Sequence, residues 1–399
     1  MSFYRSLSPL EATYIATETP EHTPFTNQYI VEGIGKLDLE QWEEASLKVS
    51  KVNAGLNLQL KGFWGWRYWD HGDTAPRVTK VTTDWDGLSS ENAPDIFRPF
   101  DSRKGPNAEI ILIENPNATA KILFRTHHAI TDGMGMTHWI EECFRALRNE
   151  PLLGSTGTIN EWDIAKKNQI PEEPTIDGNC ISLSPISQNP EERYCRWIRC
   201  DWPGKHTKIV PKLILASSTV AKNRHGNDSK TLFRIPSDLR KYNETGSDFT
   251  MANASGAFDI ETTDESTVKS IQRTIIKGMR NKSDLAVFPS KMYLANWLPK
   301  AMFNAKAETI KNIHSSGRYR MTGTISYLGE QSLEPFSYDD FVAKGRYGVP
   351  ISLENRGIFI GASNTKDMLS FSLGAPKALV THEELIELGN ELLEAYNAL

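Results

Sequence analysis

Residues 121–133, Lys121-Ile122-Leu123-Phe124-Arg125-Thr126-His127-His128-Ala129-Ile130-Thr131-Asp132-Gly133, open as a β-strand and close at the start of a helix. The helical side is set by Met136, Trp139, Ile140, Cys143 and Leu147, which recur at helical spacing until Pro151 ends the run. Alternation along the strand places Ile122, Phe124, Thr126 and His128 on one face, with Leu123, Arg125 and His127 on the other. The two histidines therefore have different surroundings. At the strand terminus the His128 side chain is free to project into a cleft while its backbone stays anchored. Gly133 is expected to let the chain turn sharply into the helix. Imidazole suits proton abstraction near neutrality, with an unperturbed pKa of about 6.5. Asp132, one loop away, would either orient that ring or fix the loop through an ion pair with an arginine. The plain alternative is a buried histidine pair with no chemistry. Against it, the four fixed residues match by chance on the order of 10⁻³ times per chain, and functional loops concentrate at such junctions.

Outward from this junction the chain alternates strands and helices. Ser8-Pro9-Leu10-Glu11 carries an N-cap hydroxyl, a proline at the first helical position and a glutamate at the third. A second helix starts at Asp38, with Leu39, Trp42, Ala45 and Val49 on one face. Strands are expected from Leu56 to Leu60, through Phe63-Trp64-Gly65-Trp66-Arg67-Tyr68-Trp69, over Val78–Val81, and from Glu109 to Ile113. The Trp64, Trp66 and Trp69 spacing reads as one face of a sheet, or else the lining of an acyl pocket. Residues 152 to about 204 are rich in Gly, Ser, Asn and Pro, with one strand-like piece at Tyr194–Arg199. The second half repeats the texture: a helix over Thr207–Asn223, a strand over Thr231–Ile235, and a helix after Asp264. A mostly helical stretch follows over Ser290–Asn312, then strands near Arg320–Leu328, Gly357–Gly361 and Met368–Leu373. The last helix opens at Thr381-x-x-Glu384. Mixed strands and helices in both halves indicate an α+β chain of two lobes, with boundaries at 1–160, 161–204 (the crossover connection) and 205–399.

Composition narrows the field. At ~150 residues per domain, 399 residues allow two or three core-forming units. The 45 Lys+Arg against 50 Asp+Glu, with no long basic block, argue against a nucleic-acid partner. No apolar run approaches ~18 residues, so no membrane span is expected. The N-terminus shows no charged region followed by an apolar stretch, so the protein is expected to be cytoplasmic. The four cysteines, Cys143, Cys180, Cys195 and Cys200, include no C-x-x-C pair and form no disulfide framework. The basic residues Arg273, Lys277, Arg280 and Lys282 read as a solvated face, or as a dock for an acidic carrier protein or the phosphates of coenzyme A.

His127-His128-x-x-x-Asp132-Gly133 resembles the H-H-x-x-x-D-G signature of the thioester-dependent acyltransferase superfamily, which includes chloramphenicol acetyltransferase, wax-ester synthases, polyketide-associated acyltransferases and nonribosomal condensation domains. Ser8-Pro9-Leu10-Glu11 is similar to the opening helix of condensation domains. Arg98-Pro99-Phe100-Asp101 with Gly105-Pro106 is similar to the lead-in before the signature strand. Arg234–Arg240 and Thr324-Ile325-Ser326-Tyr327-Leu328-Gly329 are similar to strands of the second half. Two departures stand out: no D-F-G-W-G is present, and Tyr327 occupies the place of a usual Asn.

The resemblance implies two chloramphenicol-acetyltransferase-like lobes with an active-site tunnel between them. It implies that His128 deprotonates a hydroxyl or amine of a small-molecule acceptor, which attacks an acyl thioester on coenzyme A or on an acyl or peptidyl carrier protein. His127, Asp132 and Gly133 complete the catalytic set. Thr324 or Ser326 would donate to the oxyanion, unless they are plain strand packing. Asp132 would pair with an arginine, Arg240 in first place and Arg5 in second. No metal and no permanently bound cofactor are implied, and a monomer suffices. Two alternatives remain: a condensation-like cyclase or isomerase using the same base, and a non-catalytic binding module for a carrier protein or metabolite.

Overall fold

The computed structural model describes the chain except for residues 1–2, 17–22, 95–96, 117–118, 169–178, 184–191, 193, 227–229, 244–247, 287, 289–291, 306–318 and 353–356. The strand before the histidines, β7 (Ala120–His127), is buried along its whole length. It lies at the centre of a five-stranded sheet in the order β12 (Phe341–Gly348), β2 (Thr26–Gly35), β7, β6 (Ala108–Glu114), β5 (Arg77–Thr82). Its alternation is the one the sequence dictates. Ile122 and Phe124 enter one apolar cluster with Trp42, Trp139 and Phe144, while Leu123 enters another on the opposite face. Arg125, also buried, pairs across the ladder with Glu109, its register partner on β6. Helices α2 (Leu39–Val52) and α3 (Gly133–Leu147) cover the first face and pack on each other. Val49 and Trp42 from α2, with Met136, Ile140 and Cys143 from α3, are fully buried there.

The second lobe is built on a six-stranded sheet. Its order is β10 (Ser255–Thr262), β9 (Thr231–Asp238), β11 (Gly323–Glu330), β13 (Ile358–Asn364), β14 (Met368–Pro376), β8 (Cys195–Pro203). Helices α5 (Ile209–His225) and α7 (His382–Asn397) pack together over it, burying Leu213, Ile214, Leu385, Leu388 and Leu392. A smaller sheet, β1 (Tyr4–Ser6), β4 (Tyr68–His71) and β3 (Leu58–Lys61), flanks the first lobe.

Two strands cross the boundaries drawn from sequence. β8, from the expected crossover segment, is an edge strand of the second sheet, and its Trp197 packs against Ile30, Leu123 and Tyr347 between the lobes. β12, from the C-terminal half, returns to the first lobe and pairs antiparallel with β2, from Phe341 opposite Gly35 to Gly348 opposite Tyr29. Without it the long β2 would be an unpaired edge. Much of the remaining crossover segment and of the stretch expected to be helical over 290–312 lies outside the described residues; within the latter, Met292–Trp297 form a 3₁₀ turn.

The tryptophan stripe also differs from expectation. Trp64–Trp66 form a 3₁₀ turn with both indoles exposed, and only Trp69 is buried. Gly62 and Trp64 both take a left-handed backbone, which breaks the strand before Tyr68.

The first helix, α1 (Pro9–Ala16), is fixed by a buried acid cluster. Ser8 Oγ accepts from the Glu11 backbone N–H at 3.1 Å, and Glu11 Oε2 accepts from Ser8 N–H at 2.9 Å and from Trp69 Nε1 at 3.0 Å. Arg5 pairs with Glu11, both inaccessible to solvent. Glu161, at the start of α4 (Glu161–Lys167), is buried beside them. Burial first, and then the Glu11 charge, push its carboxyl up to about 8. The folded chain thus holds a proton that the unfolded chain releases above about 4.3. This contribution to stability is full below that value and is lost as pH rises toward 8. Raising the pH from 5 to 8 is therefore expected to lower the melting temperature, and Glu161→Gln to remove most of that slope. An unchanged slope in the variant would contradict the assignment.

Candidate active site at the strand–helix junction

Strand β7 ends at His127, and the ladder extends by one more bond, from His128 N–H to Phe25 O at 3.1 Å. His127 is buried, its Nδ1 accepting from the Ala129 N–H at 2.9 Å, so this ring braces the turn from within. His128 is half-buried. Its ring stacks on Phe25 at 4.6 Å and lies 4.6 Å from the ring of Tyr14 on α1. Asn27, on β2, donates to Thr131 O at 2.5 Å, and the same amide nitrogen lies 3.3 Å from His128 Nδ1. Asn253 donates to the His128 carbonyl at 2.5 Å from the second half of the chain. Ring and backbone are thus held from both halves.

Asp132 is fully enclosed and accepts from several donors at once. As N-cap of α3 it takes the N–H of Met134 at 3.1 Å and of Gly135 at 2.9 Å. Arg240 donates to it bidentately, Nη2 to Oδ1 and Nη1 to Oδ2, each at 3.0 Å. Ala254 N–H and Ser255 Oγ complete the set at 2.8 and 3.1 Å. Burial alone would raise its pKa; the Arg240 charge and these hydrogen bonds outweigh that and hold it below the usual carboxylate value. Arg240 is itself tied down by Asp238 and by the carbonyls of Thr250 and Ala252. This bidentate pair joins the signature loop of the first lobe to the segment after β9 in the second. Arg5, expected as the second candidate for this pair, is engaged with Glu11 instead.

Gly133 has no positive φ, so turning freedom is not its role. A Cβ there would stand 2.8 Å from the Tyr29 hydroxyl, so the requirement is space. The constraint at Gly135 is harder. A Cβ would meet Thr131 Oγ1 at 1.9 Å and the Met251 carbonyl oxygen, which is backbone, at 2.7 Å. Gly135→Ala is expected to cost about 1–3 kcal/mol in urea unfolding. Gly278→Ala on the exposed helix α6 (Val268–Arg280), whose nearest contact would be an ordinary 3.5 Å, is expected to gain up to about 1 kcal/mol. Equal effects of the two would contradict the packing described.

On β11, Ile325 is buried in the second core and Tyr327 packs against it, the Tyr327 hydroxyl donating to Asn364 Oδ1 at 2.5 Å. Thr324, Ser326 and Leu328 alternate to the other face. Leu328 lies 3.8 Å from where a Gly133 side chain would begin, so this face of β11 turns toward the start of α3. Helix α6, with Arg273, Lys277 and Arg280, buries only Ile271 and leaves its basic side in solvent. Among the described residues no cluster of His, Cys, Asp and Glu has the makings of a metal site, and no helix is long and apolar enough to cross a membrane. Asn27, Tyr14 and Phe25 carry no motif, and Asn253 stands only in an Asn-x-Ser triplet that says nothing of this role, so nothing in the sequence points to them as partners of His128.

The molecule has the two-lobed, chloramphenicol-acetyltransferase-like fold seen in condensation domains. Among solved structures, the chain is similar to a variant of the starter condensation domain of rhizomide synthetase RzmA in complex with C8-CoA, at TM-score 0.68 and 15% identity, covering 100% of this chain and 95% of that one. It is similar to the condensation domain of the monacolin K polyketide synthase MokA at TM-score 0.63 and 8% identity, covering 99% and 97%. It is also similar to the epimerization domain from the third module of tyrocidine synthetase B at 0.62 and 11%, covering 100% and 96%. No protein-family model matches the sequence, and no curated protein matches it by sequence.

Proposed function

We propose that the protein is an acyltransferase of specialised metabolism. It moves an acyl group from a coenzyme A or carrier-protein thioester to a hydroxyl or amine of a small-molecule acceptor. The observation that carries this reading is the half-buried His128 ring, on a loop that the Asp132–Arg240 pair clamps across the two lobes. A general base must keep its geometry without losing access, and this arrangement supplies both. His128 takes the acceptor proton as the nucleophile attacks the thioester carbonyl, in a tunnel between the lobes. Ser326 or Thr324 donates to the tetrahedral oxyanion, an interaction worth about 3 kcal/mol in the transition state. The thiolate then leaves and recovers the proton from the imidazolium. Asp132 takes no proton. With its pKa held down and its oxygens fully engaged, it fixes the loop. One chain supplies both lobes, so a monomer suffices. The RzmA starter domain has been solved with C8-CoA and with Leu-SNAC, an acyl donor and an aminoacyl thioester, which supports the substrate class.

The test is a free-thiol assay over a panel of acyl thioesters with pooled alcohol and amine acceptors, followed by product mass. Thiol release matched by acylated acceptor is expected; a silent panel would contradict the proposal. The likeness to an epimerization domain, together with Tyr327 at a position where the resemblance leads one to expect Asn, favours one other reading, isomerisation with the same base. That outcome leaves product mass unchanged and releases no thiol.

A further inference from the structure

Arg346, on β12, is only 6% exposed, yet no carboxylate stands within ion-pair distance of it among the described residues. Its Nη2 donates to Thr137 Oγ1 at 2.5 Å, and its Nε is buried with no hydrogen-bond partner. The guanidinium lies over two rings, 4.7 Å from the centre of Phe336 and 5.3 Å from that of Tyr29. Glu141, one turn beyond Thr137 on α3, is the carboxylate that acts on it through space. Burial lowers the pKa of Arg346 and raises that of Glu141, so each still pays for its charge. A desolvated charge without a close counter-ion is unfavourable and is retained where something else satisfies it.

The surroundings say what that would be. Thr137 Oγ1 already donates to Gly133 O at 3.0 Å, so it can only accept from Arg346 and orients it. The Tyr29 hydroxyl has no hydrogen-bond partner among the described residues, and burial pushes its pKa up to about 12, so it remains a donor. The Asp132 charge nearby is matched by Arg240. Tyr29 follows Asn27 by two residues on the same face of β2, about 7 Å along the strand, and Asn27 is the residue beside the His128 ring. Gly133, against which the Tyr29 hydroxyl lies, also faces Leu328 of the second lobe. A planar guanidinium whose Nε has no partner and a phenol donor match a carboxylate.

Building on the acyl-transfer reading above, we propose that Arg346 and Tyr29 form a subsite for a carboxylate carried by one of the two reacting molecules, with Thr137 as the positioning residue. The competing explanation is that Arg346 only stacks on Phe336 and Tyr29. Calorimetric binding to the whole chain separates the two. The acyl arm compares succinyl-CoA with butyryl-CoA; the acceptor arm compares leucine with leucinamide. In one arm the carboxylate is expected to bind at least about tenfold tighter. Arg346→Gln should erase that preference, Arg346→Lys keep part of it, and Thr137→Val weaken it. No preference in either arm, or a preference that survives Arg346→Gln, would overturn the subsite. So would a Gln variant that weakens charged and neutral ligands alike. If Arg346→Gln does not fold, the Lys and Thr137 variants carry the same comparison. Thiol release from butyryl-CoA by the unaltered protein reports separately on acyl transfer, which stands even if the subsite fails.

Discussion

His128→Ala is expected to lower thiol release by roughly 10²–10⁴-fold, the usual contribution of a positioned general base. Its effect on folding is expected to be small. The ring is half-buried and packs on Phe25 and Tyr14, but the loop is held through its backbone, by Asn253 on the His128 carbonyl and by Arg240 on Asp132. The urea midpoint should therefore move little while turnover collapses. His127→Ala should do the reverse, because that ring is buried and supports Ala129. A His128→Ala protein with full turnover would remove the assigned base. A His128→Ala protein that fails to fold would make the ring structural.

Asp132→Asn is expected to destabilise the protein by about 3–5 kcal/mol, the range for breaking a buried ion pair and stranding its partner. Asn keeps the shape and can still cap α3, but it gives Arg240 no charge. Activity should fall with it, since the loop carrying His128 loses its tie to the second lobe. The acid limb gives an independent reading. Because the Asp132 pKa is depressed in the fold, its contribution is full above the unfolded value of about 3.9 and is lost as pH falls through the lower folded value. Stability below pH 4 should therefore drop less steeply in Asp132→Asn than in the parent, as read by urea unfolding across that range. Parallel acid limbs would contradict the pair's role. A double-mutant cycle with Arg240→Gln should show strong coupling, because each carboxylate oxygen meets one guanidinium nitrogen.

The junction was legible in the sequence because its signals are local. Alternation in β7 and the helical period of α3 fixed both faces, and the buried set Ile122, Phe124, Met136, Trp139 and Ile140 follows from them. The candidate base and its aspartate stood in the same short stretch. Of the partners from far along the chain, only Arg240 was expected, and that from the family resemblance and not from any local pattern. Asn27 and Asn253 reach His128 by tertiary folding and leave no periodic trace. The return of β12 to pair with β2 depends on an edge that only the assembled sheet has. The turn at Trp64–Trp66 overrode a strand-like alternation because two residues take a left-handed backbone, a conformation that the tryptophan itself does not advertise. Nothing in the sequence marks Arg346 or the strand that carries it, and only its burial against Tyr29 and Phe336 singles it out.

The role of His128 as the base of acyl transfer is tested most directly by an experimental structure of the protein with a stable acyl-CoA analogue in which a methylene replaces the thioester sulfur. The analogue's carbonyl is expected at the seam between the lobes, beside the His128 ring and close enough for a nucleophile hydrogen-bonded to that ring to reach it at about 3–3.5 Å. An analogue bound elsewhere, with apolar side chains closing every route to the imidazole, would contradict it.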